Sequence, residues 1–340
     1  MAPEAQTGKQ PTPALLFDTL NAYQRTQAVK AGIELELFTA IAEGNRTARA
    51  IAERCDASER GTRILCDFLT ISGFLTKEGS NYALTPDAAM FLDKHSPAYL
   101  GTVTEFILSP HLVDNFDYLT EAVKQGGSAG KTESLAPDHP MWVKFAQAMA
   151  PMMAMPAQLI AQLIDPTGDK KIRVLDIAAG HGLYGLAFAK KNPQAEVTAV
   201  DWPNVLEVAK ENAQAAGVAD RFHIRPGSAF DVDYGTAYDI VLLTNFLHHF
   251  DKPTCEAVLK KVHSALADGG RAVTLEFVPN EDRVTPPQAA AFSMMMLGMT
   301  PSGDAYTFAE LDEMFRNAGF ARNEMQDLPP TIQRVVISYK

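Results

Sequence analysis

The segment 171–202, KIRVLDIAAGHGLYGLAFAKKNPQAEVTAVDW, constrains the fold more than any other part of this sequence. Its short apolar runs are typical of strands that are buried on both faces. The pattern predicts a strand, a helix and a second strand at 172–177, 183–191 and 195–200. Gly180 and Gly182 fall between the first strand and the helix, where glycines allow a tight turn and let a ligand approach the helix N-terminus. The segment therefore predicts a βαβ unit with a ligand site.

Two ligands compete for this turn. Gly180, Gly182 and Gly185 satisfy G-x-G-x-x-G, and Asp201 lies 21 residues after Gly180, so the pattern of a dinucleotide site is formally met. Asp176 argues against that ligand, because a carboxylate beside the turn would repel a pyrophosphate. The same carboxylate would attract the ammonium group of S-adenosylmethionine (SAM), and Asp201 could accept hydrogen bonds from its ribose. We therefore favour SAM over NAD.

The composition disfavours several classes of protein. A chain of 340 residues, 46% of them hydrophobic, is long enough for two domains with buried cores. Its formal net charge of −11 disfavours nucleic acid or an anionic membrane as a partner. Three separated cysteines without a C-x-x-C pair fit a reducing compartment and argue against a structural metal site. Since we find neither a signal peptide nor an apolar run of ~20 residues, we expect a cytoplasmic protein.

The N-terminal region, predicted to form a domain at 14–130, has a mostly helical pattern. Two short helices at 47–55 and 60–72, followed by a hairpin at 74–84, predict a winged helix, and a longer helix is predicted at 99–122. The first 130 residues carry 11 Lys and Arg against 16 Asp and Glu, whereas a DNA-binding domain presents a basic face. We therefore interpret this winged helix as a module for packing and dimerisation.

The remaining residues, 131–340, alternate apolar strands with helices and predict an α/β domain, whereas 1–13 are predicted to be a disordered tail. A helix at 139–164 is expected to be broken or bent at Pro151 and Pro156. Further strands are predicted at 221–225, 237–243, 271–278, 320–327 and 331–339. Since the last two are closely joined, they are expected to be antiparallel. The predicted fold is a Rossmann-like, seven-stranded, mostly parallel sheet with an antiparallel last strand.

The candidate site residues follow the carboxyl ends of these strands, where open α/β sheets bind their ligands. We expect the cofactor to contact Phe145, Met149, Asp176, Ala178, Gly180, Gly182, Asp201, Trp202, Gly227, Ser228, Ala229, Phe230, Thr244 and Asn245. His248 and His249 follow the fourth strand, and Glu276 lies in the fifth. An apolar segment with four methionines, 289–299, is expected to lie over the site, although such segments are more often part of a core.

Short motifs in this order and spacing resemble one family. They are Phe145-x-x-Ala148-Met149, LDIAAGHG at 175–182, Asp201-Trp-Pro-x-Val205, Gly227-x-x-Phe230, Leu247-His248 and Ala318-Gly-Phe320. The chain resembles, over nearly its whole length, the two-domain small-molecule O-methyltransferases, which include the acetylserotonin, caffeate and isoflavone methyltransferases. The resemblance implies SAM as methyl donor, a homodimer formed through the N-terminal domain, and a phenolic or other small, largely apolar acceptor.

The resemblance also implies roles for single residues. Asp201 matches the ribose-binding acid, Trp202 lies at the apolar position beside the adenine, and His248 matches the general base that Glu276 would orient. Two positions depart from the family pattern. Ser228 replaces the aspartate of most members. The family also has a second acid beside the base, and this chain has Ala305 at about that position.

The missing acid leaves alternatives open. A base without its second acid weakens the case for a hydroxyl acceptor, so C-, N- or S-methylation on the same scaffold is the enzymatic alternative. A SAM-binding or winged-helix regulator is the non-catalytic one. His249 is the alternative base, and either histidine could instead cap the following helix.

Overall fold

The computed structural model describes residues 10–130, 140–165 and 167–340. The chain divides into two compact units, the first ending at Thr104 and the second spanning Glu105–Lys340. Most of the tail predicted to be disordered therefore lies outside the described residues.

The first unit is a helical module with a small hairpin. Its elements are α1 (Ala14–Leu20), α2 (Ala22–Glu34), α3 (Leu37–Ala42), α4 (Ala48–Arg54), α5 (Glu59–Ile71), β1 (Leu75–Glu78), β2 (Asn81–Leu84) and α6 (Pro86–Phe91). Thr47 and Ser58 begin α4 and α5, because each side chain accepts a hydrogen bond from a backbone N–H in the first turn. Phe38, Leu69 and Tyr82 fill the core of this unit. The helix–helix–hairpin order agrees with the predicted winged helix.

The second unit begins earlier than the boundary predicted at 130. The continuous helix predicted at 99–122 is wrong, since this stretch forms α7 (Thr104–Ile107), α8 (Pro110–Val113) and α9 (Leu119–Gln125) with 3-10 turns before and between them. Pro110 explains one break, because the residue before a proline disfavours the helical conformation. The backbone N–H of Ser128 donates to the carbonyl oxygen of Thr300 at 2.8 Å, which joins this stretch to the second unit.

The long helix that follows, α10 (Pro140–Ile164), contains both Pro151 and Pro156. Of the break or bend expected at these prolines, the break is therefore absent within this helix. The other helices of the unit are α11 (Leu183–Lys191), α12 (Pro203–Ala215), α13 (Lys252–Ala265), α14 (Pro287–Met299) and α15 (Phe308–Asn317). No helix in the described ranges has both the length and the apolar character needed to cross a bilayer.

The seven-stranded sheet confirms the predicted fold class. Its strands are β3 (Ile172–Ile177), β4 (Ala195–Asp201), β5 (Phe222–Pro226), β6 (Tyr238–Thr244), β7 (Leu266–Glu276), β8 (Arg322–Asp327) and β9 (Arg334–Tyr339). They lie in the order β5-β4-β3-β6-β7-β9-β8, and β9 runs in the direction opposite to the other six strands. Because β4 and β6 lie on opposite sides of β3, the strand order reverses there. Sheets of this type bind ligands at such a point, beyond the carboxyl ends of the strands.

Candidate active site

A cavity of about 320 Å³ lies beyond the carboxyl ends of β3, β4, β5 and β6. Eleven of the fourteen residues predicted to bind the cofactor line it: Phe145, Ala178, Gly180, Asp201, Trp202, Gly227, Ser228, Ala229, Phe230, Thr244 and Asn245. Asp176, Gly182 and Met149 are not part of its lining. Residues that are 100 positions apart in the sequence thus meet at one end of the sheet.

The glycine turn between β3 and α11 contains three residues with positive φ, namely Ala178, Gly180 and Gly182. Gly182 has φ +75°, and a Cβ atom at this position would lie 2.9 Å from the Cβ of Ala209, so a larger residue would collide with α12. Gly180, with φ +56°, faces open space. Ala178 adopts φ +53° although it carries a side chain, a conformation that is strained for residues other than glycine. The turn thus brings its backbone to the cavity, while Gly182 serves packing.

Asp176 lies behind the turn. Its side chain is fully buried, and Oδ2 accepts a hydrogen bond from the backbone N–H of Gly185 at 2.9 Å, which fixes the first turn of α11. Oδ1 has no hydrogen-bond partner among the described residues. Burial raises the pKa of Asp176 to about 7; the Gly185 hydrogen bond opposes this rise, and the charge of Asp201 adds to it.

Asp201, in contrast, lines the cavity. Its Oδ2 accepts from the backbone N–H of Gly180 at 2.8 Å, and Oδ1 accepts from the N–H of Trp202 at 2.7 Å. Burial raises the pKa of Asp201 to about 6, against the effect of these two hydrogen bonds. A carboxylate has about four acceptor positions. Asp201 can therefore hold the turn in place and still accept hydrogen bonds from a ligand.

An aromatic group forms one end of the cavity. Phe230, Phe246 and Phe250 pack with ring centroids 5.0 to 6.2 Å apart. Ser228, at the position where an acid is usual, uses its Oγ to accept a hydrogen bond from the N–H of Phe230 at 3.1 Å. Phe246 and Phe250 are missing from the sequence-based site, although their neighbours Asn245 and His249 were candidates. Together with Phe230, they give this end of the cavity three apolar rings.

His248 and Glu276 form a buried pair. Nδ1 of His248 lies 2.5 Å from Oε2 of Glu276, and the two residues are only 5% and 4% exposed. Oε1 of Glu276 accepts from the backbone N–H groups of Phe246 and Leu247 at 3.0 and 2.9 Å. Because a carboxylate can only accept, the hydrogen between the two side chains belongs to Nδ1. The neutral imidazole therefore carries its free lone pair on Nε2.

Aromatic rings surround this pair. The ring of Phe292, on α14, lies 4.8 Å from that of His248, in an edge-on arrangement, and stacks on Phe277 at 4.0 Å. The ring of His249 lies 4.3 Å from that of His248. Burial and the neighbouring His248 lower the pKa of His249 well below its usual value. His249 lines the cavity, whereas His248 lies next to it, under Phe292.

Several lining residues were not among the predicted site residues. His181 and Tyr184 belong to the glycine turn and the first turn of α11, and Met153 follows Met149 by one turn of α10. The hydroxyl of Tyr184 contacts the sulfur of Met153 at 3.2 Å, and the amide nitrogen of Asn245 donates to that hydroxyl at 3.4 Å. Helical spacing was the available signal for Met153, since residues one turn apart share a face. Among the residues that the structure describes, no group of three His, Cys, Asp or Glu is placed to hold a metal ion.

A mostly parallel sheet with an antiparallel β9, a glycine turn after β3 and an acid at the end of β4 define a methyltransferase of the Rossmann-like class. The chain belongs to the O-methyltransferase family: the family model described as an O-methyltransferase domain matches residues 116–321. A second family model, the O-methyltransferase dimerisation domain, matches residues 17–94. It is therefore an enzyme that uses SAM as methyl donor, as the resemblance implied.

Individual relatives agree with this assignment. A crystal structure from Nostoc punctiforme, described as that of an O-methyltransferase, is 55% identical with a TM-score of 0.94, over 98% of this chain and 100% of that one. The 3-hydroxy-5-methyl-1-naphthoate 3-O-methyltransferase of Streptomyces sahachiroi is 29% identical over 90% of this chain and 89% of its own length. Human N-acetylserotonin methyltransferase, solved with SAM, shares the fold at 21% identity, with a TM-score of 0.82 over 98% and 99% of the two chains.

Proposed function

We propose that this enzyme methylates a hydroxyl group of a small, largely apolar aromatic compound, with His248 as the general base. The observation that carries the proposal is the 2.5 Å contact between Nδ1 of His248 and Glu276, because it leaves Nε2 as the atom that can accept a proton. Glu276 is held in turn by two backbone N–H groups, so the direction of the imidazole is set by the fold.

The cavity fits SAM better than a dinucleotide. None of the described lining residues is Lys or Arg, and Asp201 contributes a carboxylate, so a pyrophosphate would be repelled. We propose that Asp201 accepts the ribose hydroxyls, and that Trp202, Gly227, Ser228, Ala229 and Phe230 hold the adenine. Phe145, Ala178, Gly180, Thr244 and Asn245 would form the remaining walls.

Three residues take indirect roles in this proposal. Asp176 fixes the start of α11 through Gly185, and a cation bound in front of the turn would favour the ionised form of its buried carboxyl, whose pKa is raised to about 7. Gly182 allows the turn to pack on α12. Met149 is buried in α10, the helix that also carries Phe145.

SAM, when bound, supplies a methyl group that is already activated on a sulfonium. The residues of this chain then have two tasks, to hold the acceptor in line and to remove its proton. Nε2 of His248 takes the hydroxyl proton as the oxygen–carbon bond forms. Glu276 stabilises the resulting imidazolium across Nδ1, in a site from which both side chains exclude water. Such proton transfer is typically worth about 10²- to 10⁴-fold in rate.

We propose an aromatic acceptor because aromatic rings cover His248. Phe277 and Phe292 form a stacked pair beside the base, and such ring faces favour a flat, apolar molecule. The naphthoate named for the Streptomyces relative has this chemistry.

We also propose that the enzyme is a homodimer assembled through its first unit. Leu15, Leu16, Phe17 and Leu20 on α1 are all more than half exposed, and Ile71 at the end of α5 is 83% exposed. An apolar surface of this kind marks an interaction site. A second copy is the occupant we propose, since these residues lie in or beside the match to the dimerisation domain. The acidic net charge and the three free cysteines support a cytoplasmic location without a nucleic-acid or membrane partner.

Replacement of the base tests the function directly. His248→Ala should lower turnover about tenfold or more in an assay that follows SAM with a panel of phenols and naphthols by mass spectrometry. SAM affinity, measured by calorimetry, should stay the same because His248 does not line the cavity. His223→Ala is the matched control, since His223 is an exposed histidine that pairs with Glu196 on the sheet.

The product of the assay decides between the alternatives. Wild-type turnover that is unchanged in His248→Ala would rule out this residue as the base. Methylation of a ring carbon, and not of the hydroxyl oxygen, in every phenol or naphthol that reacts would replace the O-methylation proposal with C-methylation on the same scaffold.

A further inference from the structure

The cavity offers no cationic side chain, among its described lining residues, to the amino-acid end of SAM. That end carries a carboxylate as well as an ammonium group, yet none of the described lining residues is Lys or Arg. Asp201 repels a second carboxylate in the same cavity. The carboxylate of SAM must therefore be bound by neutral hydrogen-bond donors.

Three side-chain donors around the cavity, those of Tyr184, Asn245 and Trp142, are committed or enclosed. The hydroxyl of Tyr184 contacts Met153, and the amide of Asn245 donates to Tyr184. The indole nitrogen of Trp142 has no partner among the described residues but is closed off from solvent. Ser228 lies at the end of β5, on the aromatic side of the cavity, where its Oγ holds Phe230.

His181 is the donor that remains at the glycine turn. It stands between Gly180 and Gly182, lines the cavity, and is only 4% exposed. Its Nδ1 accepts a hydrogen bond from the backbone N–H of Leu183 at 3.1 Å. Since Nδ1 is the acceptor, the proton of the neutral ring must lie on Nε2. Nε2 has no hydrogen-bond partner in the described part of the chain.

The surroundings of His181 favour an anion. Leu183 is the first residue of α11, a helix of nine residues, and the N–H groups at a helix N-terminus attract negative charge. Burial lowers the pKa of His181 to about 4, so the ring is neutral at pH 7 and offers a single N–H. The side-chain amide of Asn212 donates to the backbone oxygen of His181 at 2.8 Å and holds this residue in position.

We propose that His181 binds the carboxylate of the SAM amino-acid moiety through Nε2–H. This inference rests on the proposed use of the cavity for SAM. It assigns His181 to cofactor binding and separates its role from that of Asp201, for which we propose binding of the ribose. The carboxylate distinguishes SAM from nucleosides that lack the amino acid, so His181 would select for the complete cofactor.

Two variants and two ligands test the proposal. His181→Asn keeps an oxygen near Nδ1 for the Leu183 N–H but cannot reach the position of Nε2, whereas His181→Gln carries an amide nitrogen to that position. S-adenosylhomocysteine has the carboxylate, and 5′-methylthioadenosine lacks the amino acid altogether. Calorimetry measures the affinity of each protein for both ligands, and the melting temperature of each variant reports its folding.

The proposal expects a specific pattern. His181→Asn should bind S-adenosylhomocysteine about ten- to 100-fold more weakly, the range of a hydrogen bond to a charged group, and 5′-methylthioadenosine as well as the wild type does. His181→Gln should recover most of the affinity for S-adenosylhomocysteine. An equal loss for both ligands, or no loss in His181→Asn, would overturn it. Failure of both ligands to bind the wild type would instead refute the use of the cavity for SAM.

Discussion

Replacement of Glu276 by glutamine tests the base in the greatest detail, because it changes one atom of the carboxylate and leaves the shape of the side chain intact. In the wild type, Oε1 accepts from the N–H groups of Phe246 and Leu247, and Oε2 accepts from Nδ1 of His248. A glutamine has one oxygen and one NH₂ group for these two places.

The buried N–H groups decide how the glutamine is oriented. If the NH₂ group faced Phe246 and Leu247, two buried backbone donors would lose their acceptor, at a cost of about 1–3 kcal/mol each. The oxygen should therefore stay on the backbone side, and the NH₂ group should face His248. Nδ1 must then accept this hydrogen bond, so the proton moves to Nε2, the atom that is needed as the base.

The expected result is a loss of most of the general-base contribution, about 10²- to 10⁴-fold in the rate of methyl transfer at pH 7, or about 2.7–5.4 kcal/mol in the barrier. Single-turnover measurements with labelled SAM and the phenol that reacts best would give this rate without contributions from product release. The affinity for S-adenosylhomocysteine should not change, since Glu276 does not line the cavity.

The pH dependence separates a lost base from a distorted site. A phenol with a pKa of about 10 is increasingly ionised at high pH and then needs no base. The ratio of the wild-type rate to the Glu276→Gln rate should therefore fall towards 1 as the pH approaches 10. A Glu276→Gln rate within about threefold of the wild-type rate at pH 7 would refute this reasoning. So would a large loss that stays constant with pH.

Two further predictions concern the adenine side and the dimer. Nζ of Lys261 donates to the carbonyl oxygens of Ala229, Phe230 and Val232 at 3.0, 2.5 and 3.2 Å, so Lys261→Met should loosen this loop and weaken SAM binding about three- to tenfold in calorimetry. Lys260→Met is the control, and equal affinities for the two variants would contradict this role. Leu16→Asp/Leu20→Asp should convert the dimer to a monomer in analytical ultracentrifugation, whereas Thr19→Asp on the same exposed helix should not; a dimer that persists in the double variant would exclude α1 from the interface.

The parts of the fold that could be predicted are those that local patterns determine. The βαβ unit of β3, α11 and β4 was recognisable because buried strands are uniformly apolar and glycines mark the turn between strand and helix. The region 99–122 was predicted wrongly as one helix, although Pro110 was a local signal for one of its breaks. Its apolar residues are compatible with one helix, but the chain bends there to pack on α14, and such tertiary contacts override local spacing.

In the candidate site, too, some features follow from local sequence patterns and others depend on tertiary contacts. Residues at the carboxyl ends of strands, such as Asp201 and Thr244, could be placed because the carboxyl ends of parallel strands meet. Asp176 follows the same logic, yet its side chain turns to Gly185, because α11 begins with N–H groups that need an acceptor. Sequence position gives the location of the Cα atom but not which of two competing partners the carboxylate takes.

Under the proposed mechanism, the arrangement of charge gives Glu276 a role at a position that is closed to water. Before the reaction His248 and Glu276 together carry one negative charge, and after proton transfer to Nε2 the pair is neutral. SAM, when bound, would bring a positive charge that methyl transfer consumes, so the imidazole of His248 would gain a positive charge as the cofactor loses its own. A buried carboxylate 2.5 Å from Nδ1 favours this movement, because it interacts with the imidazolium in a site of low dielectric constant. This chain has the fully buried Ala305 where the family pattern has a second acid. We therefore expect Glu276 alone to supply the compensating charge, and the loss in Glu276→Gln should be correspondingly large.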